Sequence, residues 1–292
     1  MIRRLSSLLL AGVLGGCAVA GAAVLPRAVL RTTRQIRIEY VAHDGVLRAA
    51  YVLLPKWYSR TKDPPLPLVI SPHGRGVDAR ANARVWGDLP GRDGFAVVNP
   101  EGQGRRLELY SWGDPGQIGD LARMPEIVER ALPWVHVDPH RIYAVGGSMG
   151  GQETLLLVAH RPHLLAGAIS FDAATDLSER YREFDDIPYG HRLQLLARYE
   201  VGGTPAADPR AWSSRSPLDF ARAIARAGVP LEIWWSHADR VVVDQARQSG
   251  LLYRQIMRLD PTAPVREVVG WWHHCAEIRS RLPRALALIG LG

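Results

Sequence analysis

Along the first hundred residues the apolar positions alternate before they begin to cluster. Ile36, Ile38 and Tyr40 alternate with Arg37 and Glu39, His43-Asp44-Gly45 supplies a tight turn, and a second run follows from Leu47 to Leu54. This predicts a strand, a turn and a strand. Three prolines between Lys56 and Pro67 predict a loop. Leu68-Val69-Ile70 and Phe95-Ala96-Val97-Val98 are short, wholly apolar runs of the kind that parallel sheets bury on both faces. Ile118 to Trp134 has helical spacing. Arg141 to Val145 reads as a strand, Gln152 to His160 as a helix and Leu165 to Phe171 as a strand. Pro230 to Trp235 and Pro264 to Val269 are further strands; a helix containing Gln245 to Met257 follows the first, and one beginning near Ala276 follows the second. Strands alternating with helices predict an α/β fold with a mostly parallel, doubly wound sheet. Between Asp172 and Gly228 the rhythm breaks at Asp185-Asp186, Pro188 and Gly202-Gly203, so an insertion over 172–228 is expected to form a lid at the carboxyl edge of the sheet.

Residues 1–30 have a different pattern. Arg3 and Arg4 form a basic start, Leu5 to Pro26 carries no charge, and small residues follow the leucines, as in an export signal. Leu14-Gly15-Gly16-Cys17 resembles the bacterial lipobox, in which a lipid is attached to the cysteine and the chain is cut before it. Ordinary cleavage near Ala18 to Ala23, or an uncleaved span, are the alternatives, because 22 uncharged residues suffice to cross a bilayer. Each outcome predicts an extracytoplasmic catalytic domain over 31–292, with lipidation at Cys17 adding a membrane anchor. Cys275 is then a free thiol.

Composition removes several other functions. Two cysteines in 292 residues exclude a disulfide scaffold and a four-cysteine zinc module. The net charge of +7 is spread out, no nucleic-acid-binding motif accompanies it, and no nucleic-acid partner is expected.

The chemistry concentrates at Gly146-Gly147-Ser148-Met149-Gly150, a G-x-S-x-G pattern directly after a predicted strand and before a helix. Such a turn exposes a serine hydroxyl, while the flanking glycines remove side chains that would collide with the adjoining strand and helix. A serine is a poor nucleophile at neutral pH, so it needs a base, and the base needs an orienting acid. In this architecture the chain order is Ser, acid, His. Asp239 lies just past the strand ending at Trp235 and is the expected acid; Asp172, after the preceding strand, is the reserve. His273 and His274 both follow the last strand. Only one can reach Ser148, and His274, nearer the helix, is preferred over His273. A metal site built on the histidine pair with His237 lacks a spaced H-x-x-x-H or carboxylate companion, so no metal and no cofactor are expected. Ser71-Pro72-His73-Gly74-Arg75-Gly76 follows the third strand, and the backbone amides of Arg75 and Met149 are the expected oxyanion hole. Trp57, Trp86, Trp112, Tyr181, Phe184 and Tyr189 are candidates to line an acyl pocket, with core packing the alternative.

The segments Arg141 to Gly151, Arg215-Ser216-Pro217-Leu218, Asp239 with Val241-Val242, and His274 resemble the α/β-hydrolase superfamily, and within it the prolyl-oligopeptidase-like hydrolases and related secreted esterases. The resemblance covers about residues 45–290. It implies an α/β-hydrolase fold and a serine hydrolase acting through an acyl-enzyme intermediate. Two positions depart from the pattern: Trp234-Trp235-Ser236-His237 stands where a His-Gly pair is common, and His273 where a glycine is common. Prolyl oligopeptidases carry a large propeller that filters peptides, for which this chain has no room, so small-molecule or polymeric esters are expected before short peptides. A catalytically silent binding protein of the cell envelope is the third reading.

Overall fold

The computed structural model describes residues 30–59, 63–102, 104–276 and 278–291; the export signal and Cys17 lie outside the described residues. Among the described residues no helix is long and apolar enough to cross a membrane.

Among the described residues eight strands form one sheet: β1 (Thr33–Val41), β2 (Leu47–Pro55), β3 (Leu66–Ile70), β4 (Ala96–Pro100), β5 (Val137–Gly147), β6 (Gly167–Phe171), β7 (Leu231–Ser236) and β8 (Val265–Gly270). Their order is β1-β2-β4-β3-β5-β6-β7-β8. The pairings β1–β2 and β2–β4 are antiparallel, and every other pairing is parallel. This is the doubly wound sheet of the α/β-hydrolase fold. The apolar runs stay buried because helices cover both faces: every residue of β3, β4, β6 and β7 is buried, whereas β1, at the edge, alternates.

The strand period of two divides the core. Leu68, Ile70, Ala96 and Val98 join one apolar cluster, and Val69 and Val97 join the other. The first cluster is completed by α3 (Pro115–Ala122), α4 (Met124–Ala131), α5 (Met149–His160), α9 (Ala221–Ala225) and α10 (Ser249–Leu259). The second takes α1 (Ala79–Trp86), α2 (Leu89–Asp93) and α11 (Ile278–Leu288). Between β6 and β7 lie α6 (Leu177–Glu183), α7 (Gly190–Val201) and α8 (Pro209–Ser213), together with α9. Leu177, Phe184, Leu193, Val201 and Trp212 of this segment pack with Trp112 and Met149 in a third cluster. Side-chain caps set several helix starts: Asp78, Asp114, Asp176 and Asp208 each accept a backbone N–H of the first turn.

Two helices differ from the pattern reading. The periodic stretch from Ile118 is interrupted at Arg123 and divides into α3 and α4, because Pro125 has no N–H to offer Leu121 and the ladder stops there. The helix expected from Gln245 begins at Ser249. Gln245 and Gln248 precede it in turns, their side chains bonded to Asp239 and to the backbone N–H groups of Thr175 and Asp176.

Candidate active site

The predicted site residues collect at the carboxyl edge of the sheet. Ser148 sits between β5 and α5 with φ +57° and ψ −123°, a conformation non-glycine residues rarely adopt. Its amide donates to the Phe171 carbonyl at 2.8 Å, which pins the turn to β6. The turn closes only because its neighbours are small: a Cβ on Gly146 would lie 2.3 Å from the Gly150 carbonyl oxygen, and one on Gly150 would lie 2.3 Å from that of Pro72. The Ser148 hydroxyl makes no hydrogen bond to a described residue. It lines a cleft together with Trp112, Met149 and Phe184.

Asp239 follows β7, and His274 follows β8. The His274 Nδ1 lies 2.7 Å from Asp239 Oδ2. A carboxylate is the acceptor here, so Nδ1 carries a proton, and Nε2 is the nitrogen that gains or loses one as the ring titrates. Asp239 Oδ1 accepts the amides of Val241 (2.8 Å) and Val242 (3.0 Å), and Oδ2 accepts from Gln245 Nε2 at 3.1 Å. Burial pushes the Asp239 carboxyl up, but His274 and the Val241 amide outweigh it and hold the group below the usual carboxylate range. Burial alone would lower His274; Cys275 and Asp239 reverse this and push it up to about 10. The Cys275 share requires a thiolate, and burial pushes that thiol up, so with a neutral thiol the Asp239 share is what remains.

Asp172 does not hold the histidine ring. It follows β6 at φ +47° and grips the histidine loop on both sides of His274: Oδ2 accepts Trp272 Nε1 at 2.9 Å and the Cys275 amide at 2.8 Å. Burial raises this carboxyl to about 6. Ser236 binds the acid and base loops together, donating to the Trp272 carbonyl at 2.6 Å and accepting the Trp272 amide at 2.7 Å. His273 is exposed, and His237 stacks between Trp235 and Trp271. Asp172, His274 and Cys275 each offer a ligand atom within 4.8 Å of the others, forming the one group of this kind among the described residues.

On the opposite side of Ser148, a Cβ on Gly74 would lie 3.8 Å from that of Ser148, so the loop carrying Arg75 abuts the nucleophile turn. Met149 opens α5, where its amide has no helical acceptor. His73 fixes the loop. Its Nδ1 donates to the Gly74 carbonyl at 2.9 Å, and its Nε2 accepts the Gly102 amide at 2.7 Å. Burial lowers its pKa, which keeps the ring neutral.

Of the predicted pocket aromatics, Trp112 and Phe184 line the cleft. The other four do not. Trp86 is core, its Nε1 on Ser71 Oγ; Trp57 and Tyr189 are 53% and 59% exposed; Tyr181 stacks on Trp212. Aromatic side chains serve burial in general, and residue type alone does not tell pocket from core. Pattern reading also missed Gln245, Ser236 and Arg180. Gln245 and Ser236 each carried a weak signal in lying within six residues of Asp239.

A strained serine at the turn after β5, an Asp–His pair on the loops after β7 and β8 and a sheet of α/β-hydrolase topology are the features by which serine hydrolases are recognised. The chain belongs to the prolyl oligopeptidase family, whose sequence profile matches residues 95–249. Over 109 residues it is 31% identical to poly(3-hydroxyalkanoate) depolymerase C of Paucimonas lemoignei, a match covering 35% of this chain and 26% of the depolymerase. Its fold is similar to that of the acylaminoacyl peptidase of Pyrococcus horikoshii, with a TM-score of 0.67 at 18% identity, covering 89% of this chain and 41% of that one. It is also similar to the fluorophosphonate-binding serine hydrolase F of Staphylococcus aureus (TM-score 0.62, 18% identity, 88% and 98% covered) and to an esterase of Rhizomucor miehei (TM-score 0.66, 15% identity, 90% and 85% covered). The chain thus spans about a quarter of the depolymerase's length and under half of the peptidase's.

Proposed function

We propose that the protein hydrolyses carboxylic esters through an acyl-enzyme. Ser148 attacks the ester carbonyl, and His274 takes its proton at Nε2 and returns it to the leaving alcohol. Asp239 holds the imidazole in the required tautomer. The amides of Arg75 and Met149 receive the tetrahedral oxyanion, each contributing about 3 kcal/mol in sites of this type. Water, deprotonated by the same histidine, then releases the acid. The observation that carries this reading is the 2.7 Å His274–Asp239 hydrogen bond on loops beside a serine held at φ +57°. The partial identity with a polyester depolymerase supports esters, polymeric ones included, over peptides. A second reading, hydrolysis of short peptides, is favoured by the family profile itself.

The segment 172–228 serves in this reading as the cap that closes the acyl pocket. Lipidation at Cys17 remains the preferred fate of the leader, and metabolic labelling with a radiolabelled fatty acid, lost in Cys17→Ala, tests it. For the catalytic assignment, the full chain is treated with a fluorophosphonate probe. Labelling is expected in the wild type and in His273→Ala, and is lost in Ser148→Ala and sharply reduced in His274→Ala. A folded wild type that takes no label refutes the hydrolase mechanism and favours a silent binding protein. Loss in His273→Ala alone refutes the choice of base.

A further inference from the structure

The cleft beside Ser148 has largely apolar walls from Trp112, Met149 and Phe184, with Gln152 beside them, and two arginines, Arg75 and Arg180, also line it. Arg180 comes from α6, the first helix of the segment between β6 and β7, and is 4% exposed. Its Nη1 donates to Glu183 Oε2 at 2.8 Å, and its guanidinium lies 4.5 Å from the Phe184 ring centroid. The Arg75 guanidinium approaches the same ring at 6.0 Å. No other hydrogen bond joins the Arg180 guanidinium to a described residue, so four of its five N–H groups are uncommitted.

The carboxylates nearby are already engaged. Glu183 gives its second oxygen to Gln248 Nε2 at 2.8 Å, and Asp239 accepts from His274, Gln245 and two amides. A guanidinium stays charged, and its planar fork of donors matches a carboxylate in a bidentate arrangement. Glu183 balances the charge of the Arg180 guanidinium but takes only one of its N–H groups, and those left facing the cleft are unfavourably desolvated until a ligand oxygen accepts them.

We propose that Arg180, assisted by Arg75, is an anion-recognising subsite, and that the preferred substrates are esters whose acyl chain ends in a carboxylate. Hydrolysis of such an ester consumes one water and yields a dicarboxylic acid and an alcohol. The inference rests on Ser148 being the nucleophile, and it adds the class of acyl group the pocket selects. A purely apolar acyl pocket would give the opposite preference, because a carboxylate stripped of water without a partner is rejected.

The test compares two esters of equal chain length, 4-nitrophenyl hexanoate and the mono-4-nitrophenyl ester of adipic acid, each corrected for spontaneous hydrolysis. The wild type is expected to favour the adipate ester at least tenfold in kcat/KM, with most of the difference in KM. In Arg180→Met the ratio is expected to fall to about one, and in Arg180→Lys to lie between; because the ratio is internal to each variant, partial misfolding cancels from it. Removing the cation leaves Glu183 buried without its partner, so the double variant Arg180→Met/Glu183→Gln is measured alongside and is expected to show the same loss. Free adipate is expected to raise the melting temperature of the wild type, and not of the double variant, whether or not any ester is turned over. A wild type that prefers hexanoate, or a ratio unchanged in both variants, overturns the subsite. Absence of turnover and of fluorophosphonate labelling, with the adipate shift intact, overturns the hydrolase mechanism and leaves the anion subsite standing.

Discussion

Asp172 offers a sharp test of the electrostatics around the histidine loop, because its carboxylate is both useful and costly. It is fully buried, and its raised pKa of about 6, against an ordinary 3.8, means that ionisation in the fold is disfavoured by burial more than the Trp272 and Cys275 donors restore. A carboxyl shifted in this direction costs nothing below both values; the cost grows as pH rises through 6 and reaches about 3 kcal/mol once both states are ionised. Between pH 5 and pH 8 the increase is about 1.4 kcal/mol. Asp172→Asn removes that dependence. Its amide oxygen can occupy the place of Oδ2, which accepts both close bonds, and asparagine tolerates the φ of +47° at least as well as aspartate. The amide nitrogen then takes the place of Oδ1, 3.2 Å from Trp272 Nε1, and sacrifices that weaker contact for about 1 kcal/mol. The assay is thermal unfolding of both proteins from pH 5 to pH 8. At about 2–4 °C per kcal/mol for a domain of this size, the melting temperature of Asp172→Asn is expected to gain about 3–6 °C on the wild type across that range. A gap that stays constant, or moves the other way, refutes the claim that burial outweighs the donors.

Three further outcomes follow from the same geometry. With Asp239 holding the protonated ring, kcat/KM of the wild type is expected to rise with pH as His274 loses its proton; Asp239→Asn moves this limb down toward the ordinary histidine value of about 6.5 and lowers kcat by roughly 10⁴, which a pH–rate profile measures. His73→Phe deprives the Gly102 amide of its acceptor and frees the Gly74 carbonyl; a loss of about 1–3 kcal/mol in urea unfolding and at least a tenfold fall in kcat are expected, and unchanged kcat would show that the loop holds its shape without the ring. Glu200 accepts the amides of Arg105, Arg106 and Leu107 on its two carboxylate oxygens, so Glu200→Gln turns one acceptor into a donor facing N–H groups and is expected to cost about 2 kcal/mol in the same unfolding assay.

The sheet was legible in the chain because its central strands carry local signals, and the three candidate catalytic residues were chosen for their places just past such strands. Short apolar runs marked the central strands, and Ser148, Asp239 and His274 each lie within five residues of the last apolar position of a strand. The choice between His273 and His274 was harder, since neighbouring side chains diverge and the pattern does not say which one turns inward; the bond from His274 to Asp239 and the exposure of His273 separate them geometrically. Asp172, held only as the reserve acid, does lie just past the expected strand. Its contact with Trp272 spans 100 residues and depends on a backbone conformation that no local pattern announces.

Arg180 was invisible for a related reason, and the reason bears on how this site is built. On the sequence it is one arginine among many, with Glu179 before it and Arg182 two residues after, and nothing distinguishes it from a solvated helix position. It becomes a pocket residue only because Leu177 and Phe184 pack with Trp112 and Met149 in a cluster separate from the two that flank the sheet. The residues proposed to perform the hydrolysis therefore hang on strand ends, whereas those proposed to select the acyl group hang on a segment with its own small core. Substitutions in that segment can alter specificity while leaving the Asp–His pair and the serine turn in place. The identity with the depolymerase covers 35% of the chain, so it does not by itself carry that enzyme's substrate to this pocket. The chemistry of the cleft, with two guanidiniums set among aromatic and aliphatic walls, gives the more direct guide to what is bound there.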